Sequence, residues 1–183
     1  MQVTPLKIED VKLVKLDIFG DARGFFVERF HERKFKELGL QTVFVQDNHS
    51  RSLPRSLRGL HFQTNPVQGK LVGVIRGKIW DVAVDLRPSS SSFGKWVAAT
   101  LTDQGGELLW IPPGFGHGFC VLGDEMADVF YKVDAPYTPS TESGIIWNDP
   151  DLAVTWPVQD PIISKRDLQL ESFQSYCVLM NKS

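Results

Sequence analysis

Short runs in which hydrophobic and polar residues alternate dominate the chain, and this period of two is typical of strands with two different faces. The clearest run, KIWDVAVDL at 78–86, puts its large apolar residues on one face and Asp81, Ala83 and Asp85 on the other. It predicts a half-buried strand. KLVGVI at 70–75 precedes it, and Arg76-Gly77 indicates a tight turn, so residues 70–86 are predicted to form a hairpin.

Further strand-like segments run along the rest of the chain, separated by clusters of glycine, proline and serine. They are FFVERF (25–30), TVFVQDNHS (42–50), LRGLHFQ (57–63), KWVAATL (95–101), ELLWIP (107–112), HGFCVL (117–122) and ADVFYKV (127–133). One short helix is predicted over HERKFKEL (31–38), ended by Gly39. The C-terminal segment is expected to wrap around the strands, with a helical turn near Leu168–Phe173.

Many short strands with few helices predict an all-β fold, and this number of strands in 183 residues suits a jelly-roll barrel with short peripheral helices. Folds of this kind place a pocket inside the barrel, lined by inward-facing side chains. The pattern shows no internal repeat and no domain boundary, so residues 1–183 are predicted to form a single domain.

Composition excludes several classes of function. Hydrophobic residues make up 42% and charged residues 23%, as in globular proteins, and a net charge of −2 gives no reason to expect a nucleic acid or an anionic membrane as partner. Cys120 and Cys177 match no metal-binding or redox spacing. The start, MQVTPLKIED, lacks the apolar core of a signal peptide, and no apolar run approaches the ~18 residues of a membrane span. These observations predict a cytoplasmic protein.

Two histidines are candidates for chemistry. His61 lies in the middle of LRGLHFQ, and strand alternation points its side chain away from the faces of Leu60 and Phe62. It is either a catalytic group or a core histidine with one hydrogen bond. His117 follows PPGFG, so it is either a pocket residue or a residue that caps a loop.

Histidines on strands of a β-barrel raise the hypothesis of a metal-dependent cupin. Metal cupins carry a close His-x-His pair on one strand, but here the second position is Gln63. Metal sites usually need three or four His, Cys or carboxylate ligands, and only His61 and His117 are well placed. We therefore predict that no metal is bound and that the histidines are available for acid–base chemistry.

Three more residues have two interpretations each. Lys70 opens a strand and is either a solvated rim residue or an inward cation suited to a developing enolate. Tyr131 shares a face of ADVFYKV with Ala127 and Val129, so it is either a core tyrosine or an inward weak acid. From the residues alone, Asp167 is most simply a surface or helix-terminal acid.

Taken together, the segments resemble the dTDP-4-dehydrorhamnose 3,5-epimerase family over nearly the whole chain. The motifs that carry the resemblance are, in order, DARGFFVERF, QDNHS, LRGLHFQ, QGKLV, DVAVDLR, SSFGKW, LLWIPPGFGHGF, YKVDAPY and WNDPDL. The resemblance implies a jelly-roll cupin core, a homodimer, a dTDP-linked 4-keto-6-deoxy sugar as substrate and no cofactor.

The resemblance also implies roles for individual residues. His61 matches the family's base, Asp167 the group that orients it, Lys70 the cation beside the C4 oxygen and Tyr131 the acid. The positions that bind the substrate are matched by Arg23, Gln46, Asn48, Arg58, His117, Tyr137 and Glu142. Of these, Tyr137 matches the tyrosine that stacks on the thymine. Glu28, with Phe26, matches a contact supplied across the dimer. Arg166 is also a substrate-binding candidate, although the family often has lysine there.

Some departures and rivals stay open at this point. Arg166, Gly73, the GFGHGF variant and the loop before ELLW depart from the family's pattern, so inversion at C3 and C5 is not separated from inversion at one centre or from ketoisomerase activity. Two rivals come from other classes: a metal-dependent cupin oxygenase or isomerase, and a sugar-binding module without catalysis. A fold alone does not decide among them.

Overall fold

The computed structural model describes residues 1–180, which contain fourteen strands, two α-helices and two 3₁₀ turns. The strands are β1 (Gln2–Pro5), β2 (Lys12–Lys15), β3 (Ile18–Asp21), β4 (Gly24–Val27), β5 (Gln46–Ser52), β6 (Ser56–Gln63), β7 (Lys70–Arg76), β8 (Lys78–Asp85), β9 (Trp96–Thr102), β10 (Glu107–Ile111), β11 (Phe115–Val121), β12 (Ala127–Val133), β13 (Glu142–Gly144) and β14 (Ile162–Ile163). The helices are α1 (Glu32–Glu37) and α2 (Phe173–Met180), and the 3₁₀ turns are Pro139–Thr141 and Asp167–Gln169.

Two sheets face each other in a jelly roll, which confirms the predicted all-β cupin fold. The first sheet has the order β1-β2-β10-β7-β12-β5, and the second has the order β13-β6-β11-β8-β9 with β14 beside β6. Strands β3 and β4 form a separate two-stranded hairpin. Many neighbouring strands in the two sheets are antiparallel but not consecutive in sequence, such as β6 beside β11 and β7 beside β12. Residues that are distant in sequence therefore meet inside the barrel.

The buried apolar residues form three clusters: a core between the sheets, a layer outside the second sheet, and a cluster that joins the first sheet to helix α1. Val74, Ile79 and Val129 belong to the core between the sheets, and all are at most 1% exposed. On the outer side, Val82 and Val84 of β8 pack with residues of the C-terminal segment, such as Leu152 and Tyr176. The predicted C-terminal wrap is thus confirmed. Strand β8 is buried on both faces, so the prediction of a half-buried strand was wrong.

The predicted hairpin over residues 70–86 is also wrong, although both strands are present. Strand β7 lies between β10 and β12 in the first sheet, whereas β8 lies between β11 and β9 in the second. Gly77, at φ 82°, makes the crossover, and its N–H donates to the Asp103 carboxylate at 2.9 Å. A glycine turn between two predicted strands is therefore compatible both with a hairpin and with a crossover from one sheet to the other.

Several element boundaries differ from the prediction. The strand expected over 25–30 ends at Val27, and the one expected over 42–50 begins only at Gln46. Val43 and Val45, which precede it, are 63% and 55% exposed. Helix α1 agrees with the prediction, and Gly39 follows it at φ 66°. Near the helical turn expected at 168–173, the structure has a 3₁₀ turn over Asp167–Gln169 and helix α2, which begins at Phe173. No helix within residues 1–180 is long and apolar enough to cross a membrane.

Candidate active site

A cavity of about 320 Å³ lies between the two sheets and opens at one end of the barrel. This volume is at the lower end of the range usual for small-molecule sites, ~300–1,000 Å³. Nine of the predicted site residues line it: Gln46, Asn48, Arg58, His61, Lys70, His117, Tyr131, Tyr137 and Glu142. The barrel therefore gathers residues from both sheets and from the loop after β12 around one space.

His61 projects into the cavity from β6 and is paired with Asp167. Its Nε2 lies 2.9 Å from Asp167 Oδ1, and its side chain is 27% exposed. Burial would raise the pKa of Asp167, but hydrogen bonds with His61, Gly59 and Ser164 outweigh it and hold that pKa below its usual value. Asp167 is therefore an anion that fixes the imidazole and leaves Nδ1 without a protein partner among the described residues.

Gly59 makes room for this pair. Its φ is 121°, and a Cβ at this position would lie 2.6 Å from the Cα of Gly118 on β11. The backbone N–H of Gly59 donates to the second oxygen of Asp167 at 3.3 Å. A side chain here would push the two strands apart beside the paired histidines, so the position requires glycine.

His117 lies opposite His61 in the β6–β11 ladder and is paired with Asp81. Its Nε2 is 2.9 Å from Asp81 Oδ2, and Asp81 is completely buried. Burial lowers the pKa of His117, and the charges of Lys70 and His61 add to this, against the opposing effect of Asp81. The result is an imidazole that stays neutral at pH 7. Asp81 was not among the predicted site residues, because alternation put it on the face opposite the large apolar residues, which is the solvent face of a half-buried strand.

Of the two interpretations of Lys70, a solvated rim residue or an inward cation, the structure supports the inward cation. It opens β7, is 9% exposed and lines the cavity. Burial lowers its pKa to about 8, against the opposing charges of Asp81 and Glu142. The ammonium group is thus mostly protonated at pH 7 and meets a cavity with little water to screen it.

Tyr131 enters the cavity from β12, on the sheet opposite His61. Burial raises its pKa, as does the charge of Glu142, while Arg58 acts in the other direction. The phenol is therefore neutral at pH 7 and able to donate a proton. The alternation argument that pointed Tyr131 inward is confirmed, since it packs beside Val129 and Ala127.

Charged and polar groups form the rim. The Tyr137 hydroxyl donates to Glu142 Oε2 at 2.7 Å, and Arg166 pairs with the same oxygen. Burial would raise the pKa of Glu142, but these hydrogen bonds outweigh it and keep that pKa low. Arg58 donates through Nε to Ser52 Oγ at 2.9 Å, which fixes its guanidinium at the rim. Arg166 thus reaches the site through Glu142 and does not line the cavity itself.

Three predicted residues lie outside the cavity of this chain. Arg23 is 90% exposed on its side chain and is ion-paired with Asp21 at 2.6 Å. Phe26 is 65% exposed, and Glu28 is ion-paired with Lys34 at 2.8 Å. All three lie on or just after the β3–β4 hairpin, which forms a sheet of its own. Arg23 therefore does not contact the chain's own cavity, and the contact of Glu28 and Phe26 with a second copy stays a prediction.

Gln63 occupies the second position of the His-x-His pair of metal cupins, and its side chain holds two loops by hydrogen bonds. Its carboxamide nitrogen donates to the carbonyl oxygens of Pro66 and Pro136 at 2.7 and 3.1 Å. Within residues 1–180, no group of three or more His, Cys, Asp or Glu side chains could hold a metal ion. Independence from metal stays a prediction.

Comparisons with known proteins agree on one family. A family model described as dTDP-4-dehydrorhamnose 3,5-epimerase matches residues 5–175. The enzyme of that name from Shigella flexneri is 47% identical over 175 residues, which cover 94% of this chain and 96% of that protein. The one from Neisseria gonorrhoeae is 52% identical over 92% of this chain, and the match spans only 51% of that longer protein.

A solved structure with a bound ligand is similar to this chain over nearly its whole length. The crystal structure of dTDP-6-deoxy-D-glucose-3,5-epimerase from Legionella pneumophila, in complex with dTDP-4-keto-L-rhamnose, is similar with a TM-score of 0.91. The two chains are 42% identical, and the match covers 94% of this chain and 93% of the other.

Proposed function

The chain belongs to the dTDP-4-dehydrorhamnose 3,5-epimerase family, and from this premise we propose that it is an isomerase that inverts C3 and C5 of dTDP-4-dehydro-6-deoxy-D-glucose, giving dTDP-4-dehydro-L-rhamnose. The observation that carries the proposal is that His61, held by Asp167, and Tyr131 enter one cavity from opposite sheets and that Lys70 lines the same cavity.

The chemistry needs a base because the hydrogens to be removed are bound to carbon. C3 and C5 both flank the C4 ketone, so a carbanion at either is delocalised onto the C4 oxygen as an enolate. His61 takes the proton, and a positioned base of this kind contributes ~10²–10⁴-fold to the rate. Asp167 favours the imidazolium that forms, because the buried carboxylate stays ionised.

The enolate needs a positive group near the C4 oxygen. Lys70 is the cation that lines the cavity with most of its side chain buried, so its charge acts with little screening by water. Losing one donor to a developing oxyanion typically costs roughly 2.7–4 kcal/mol. The reaction is proton transfer alone, so acid–base groups of the chain and one such cation suffice, and no cofactor or metal is part of the proposal.

Inversion requires that the proton return from the face opposite the base. Tyr131 projects from the first sheet and His61 from the second, which supports this division of roles. Arg58 at the rim suits the diphosphate through charge-assisted hydrogen bonds, and the half-exposed ring of Tyr137 suits the thymine.

We also propose a homodimer in the cytoplasm. Phe19, Phe25 and Phe26 on the β3–β4 hairpin are 60–65% exposed, an apolar surface that a monomer would leave in water. The hairpin would carry Arg23 and Glu28 toward the cavity of the other copy, since it does not reach its own. Light scattering tests this proposal, and a fully active monomer would contradict it.

The test of the reaction is NMR of the product made from dTDP-4-dehydro-6-deoxy-D-glucose in D₂O. Deuterium at both C3 and C5 with both centres inverted is expected. Deuterium and inversion at only one centre would replace the proposal by a mono-epimerase. No exchange at either centre would leave a binding protein.

Replacing Tyr131 by phenylalanine tests the two-face mechanism. His61 and Lys70 remain, so the enolate still forms, but the proton then returns only from the His61 side. We expect Tyr131→Phe to exchange the α-hydrogen with D₂O while inversion falls by roughly 10²-fold or more. Inversion at the wild-type rate would assign the acid to another group, and loss of exchange as well would make Tyr131 necessary for enolate formation.

A further inference from the structure

The segment Ala135–Thr138, which carries Tyr137 along the cavity wall, is held by glutamine side chains from three places in the chain. Gln63 of β6 binds it twice: its Nε2 donates to Pro136 O at 3.1 Å, and its Oε1 accepts from the backbone N–H of Thr138 at 2.8 Å. The same Nε2 also donates to Pro66 O, so Gln63 joins this segment to the loop after β6.

Two more glutamines bind the residues on either side of Pro136. The Nε2 of Gln68 donates to Ala135 O at 2.7 Å, and the Oε1 of Gln46 accepts from the backbone N–H of Tyr137 at 2.9 Å. Gln46 in turn donates to Asn48 at 2.9 Å, which fixes the orientation of its own carboxamide. Each of four successive residues thus has one backbone group bound by a glutamine.

This arrangement is unusual for a surface loop, whose backbone groups ordinarily bind water. A carboxamide both donates and accepts, so it is suited to hold neighbouring C=O and N–H groups at once. Gln63 is 6% exposed and does not line the cavity, so it contacts the segment and not a ligand. The side chain that the segment presents to the cavity is Tyr137, whose hydroxyl reaches Glu142.

We infer that Gln46, Gln63 and Gln68 form a glutamine clamp that positions the Tyr137 ring and thereby sets the affinity for the nucleotide part of the substrate. Gln63 is a positioning residue in this scheme. The inference rests on the proposed function for the identity of the ligand. It is tested with dTDP itself, whose binding requires no turnover, so a failure of the clamp is distinguishable from a failure of the epimerase proposal.

The primary variant is Gln63→Met, which keeps the length of the side chain and removes all three hydrogen bonds. We expect the Kd of dTDP, measured by calorimetry, to rise roughly 5- to 20-fold, and kcat to stay within about threefold of the wild type. Gln104→Met, at an exposed position in the β9–β10 turn, is the matched control and should leave both values unchanged. If Gln63→Met does not fold, Gln68→Met removes the bond to Ala135 and is expected to raise the Kd by a smaller factor. Because Gln68 also lines the cavity, its effect supports the clamp only if it disappears in the Tyr137→Ala background.

Coupling to Tyr137 separates positioning from general stability. In a Tyr137→Ala background, Gln63→Met should change the Kd of dTDP by less than about twofold, because the ring that it positions is gone. In a Tyr137→Phe background, the full effect should remain. The inference is overturned if the folded Gln63→Met variant binds dTDP like the wild type, or if its effect persists undiminished with Tyr137→Ala.

Discussion

Two histidine–aspartate pairs lie side by side in this barrel, because His61 and His117 are opposite each other in the β6–β11 ladder. In both pairs the nitrogen–oxygen distance is 2.9 Å. They differ in contact with solvent: the His61 side chain is 27% exposed and that of His117 only 9%. Both face the same cavity, so burial and not residue type distinguishes the two pairs.

The difference in solvent exposure shows how the same histidine–aspartate pairing can provide two groups with different chemistry. The His61–Asp167 pair is open enough to exchange a proton with a ligand, as a general base must. The His117–Asp81 pair is buried, and burial lowers the pKa of His117, so its ring is a neutral hydrogen-bonding group at fixed position. Substitutions in the open pair should therefore affect the rate most, and those in the buried pair should affect stability as well.

The largest effect is expected from His61→Ala, which removes the base. Epimerisation and incorporation of deuterium should fall together by roughly 10⁴-fold, the upper end for a general base, while the thermal midpoint changes little because the side chain is partly exposed. Product NMR in D₂O and thermal unfolding are the measurements. Substantial residual exchange would show that the open pair does not contain the base.

Next in size is Asp167→Asn, which keeps the shape of the partner and removes its charge. The imidazolium that forms during abstraction loses its counter-ion, so kcat should fall by roughly 10²–10³-fold with little change in KM. Steady-state kinetics of both variants decide the outcome. A rate equal to the wild type would make Asp167 a structural residue and would remove the distinction between the two pairs.

A smaller change in rate is expected from the same substitution in the buried pair. Asp81→Asn should lower kcat/KM by only about 10-fold, because His117 is not the proton carrier. It should also destabilise the fold by about 1–3 kcal/mol, since a buried hydrogen-bonding partner of His117 is weakened. Urea unfolding beside kinetics checks this. A loss of rate as large as that of Asp167→Asn would contradict the division between the pairs.

The smallest effect near neutral pH concerns Lys70, the buried cation that lines the same cavity. Burial lowers the pKa of Lys70 to about 8, so its charge is present below that pH and is lost above it. The value of kcat/KM, which reports the groups of the free enzyme, should therefore decline on the alkaline side, by about tenfold for each pH unit beyond the pKa. In Lys70→Arg, whose guanidinium stays charged, this decline should disappear. The same alkaline decline in Lys70→Arg would assign it to another group.

Sequence patterns predicted which side chains of the site point into the barrel better than they predicted which strands pair. Alternation along single strands correctly pointed His61 and Tyr131 into the barrel, because the two-residue period is a local property of the backbone. The same pattern put Asp81 on the polar face of a half-buried strand, whereas it is completely buried. Nothing local identified His117 as its partner, since the contact depends on which strands pair. The β7–β8 connection was wrong for the same reason.

Asp167 shows the limit of local information most clearly. The residues around it indicate only a surface or helix-terminal acid, and its assignment came from the resemblance to a family. In the structure it is 4% exposed, because the C-terminal segment folds back over the second sheet. Helix α2 (Phe173–Met180) lies in that cover and was not predicted, since its burial depends on the tryptophan-bearing outer face of β8 and β9.

The position of Asp167 also orders events during synthesis. The two members of the open pair are 106 residues apart in the chain, and a ribosome that adds roughly 5–20 residues per second takes about 5–20 s to pass from one to the other. His61 and most of the barrel strands thus emerge well before the carboxylate that completes the pair. Under the proposed mechanism, a nascent chain is therefore expected to lack activity throughout that interval, until the segment that carries Asp167 docks.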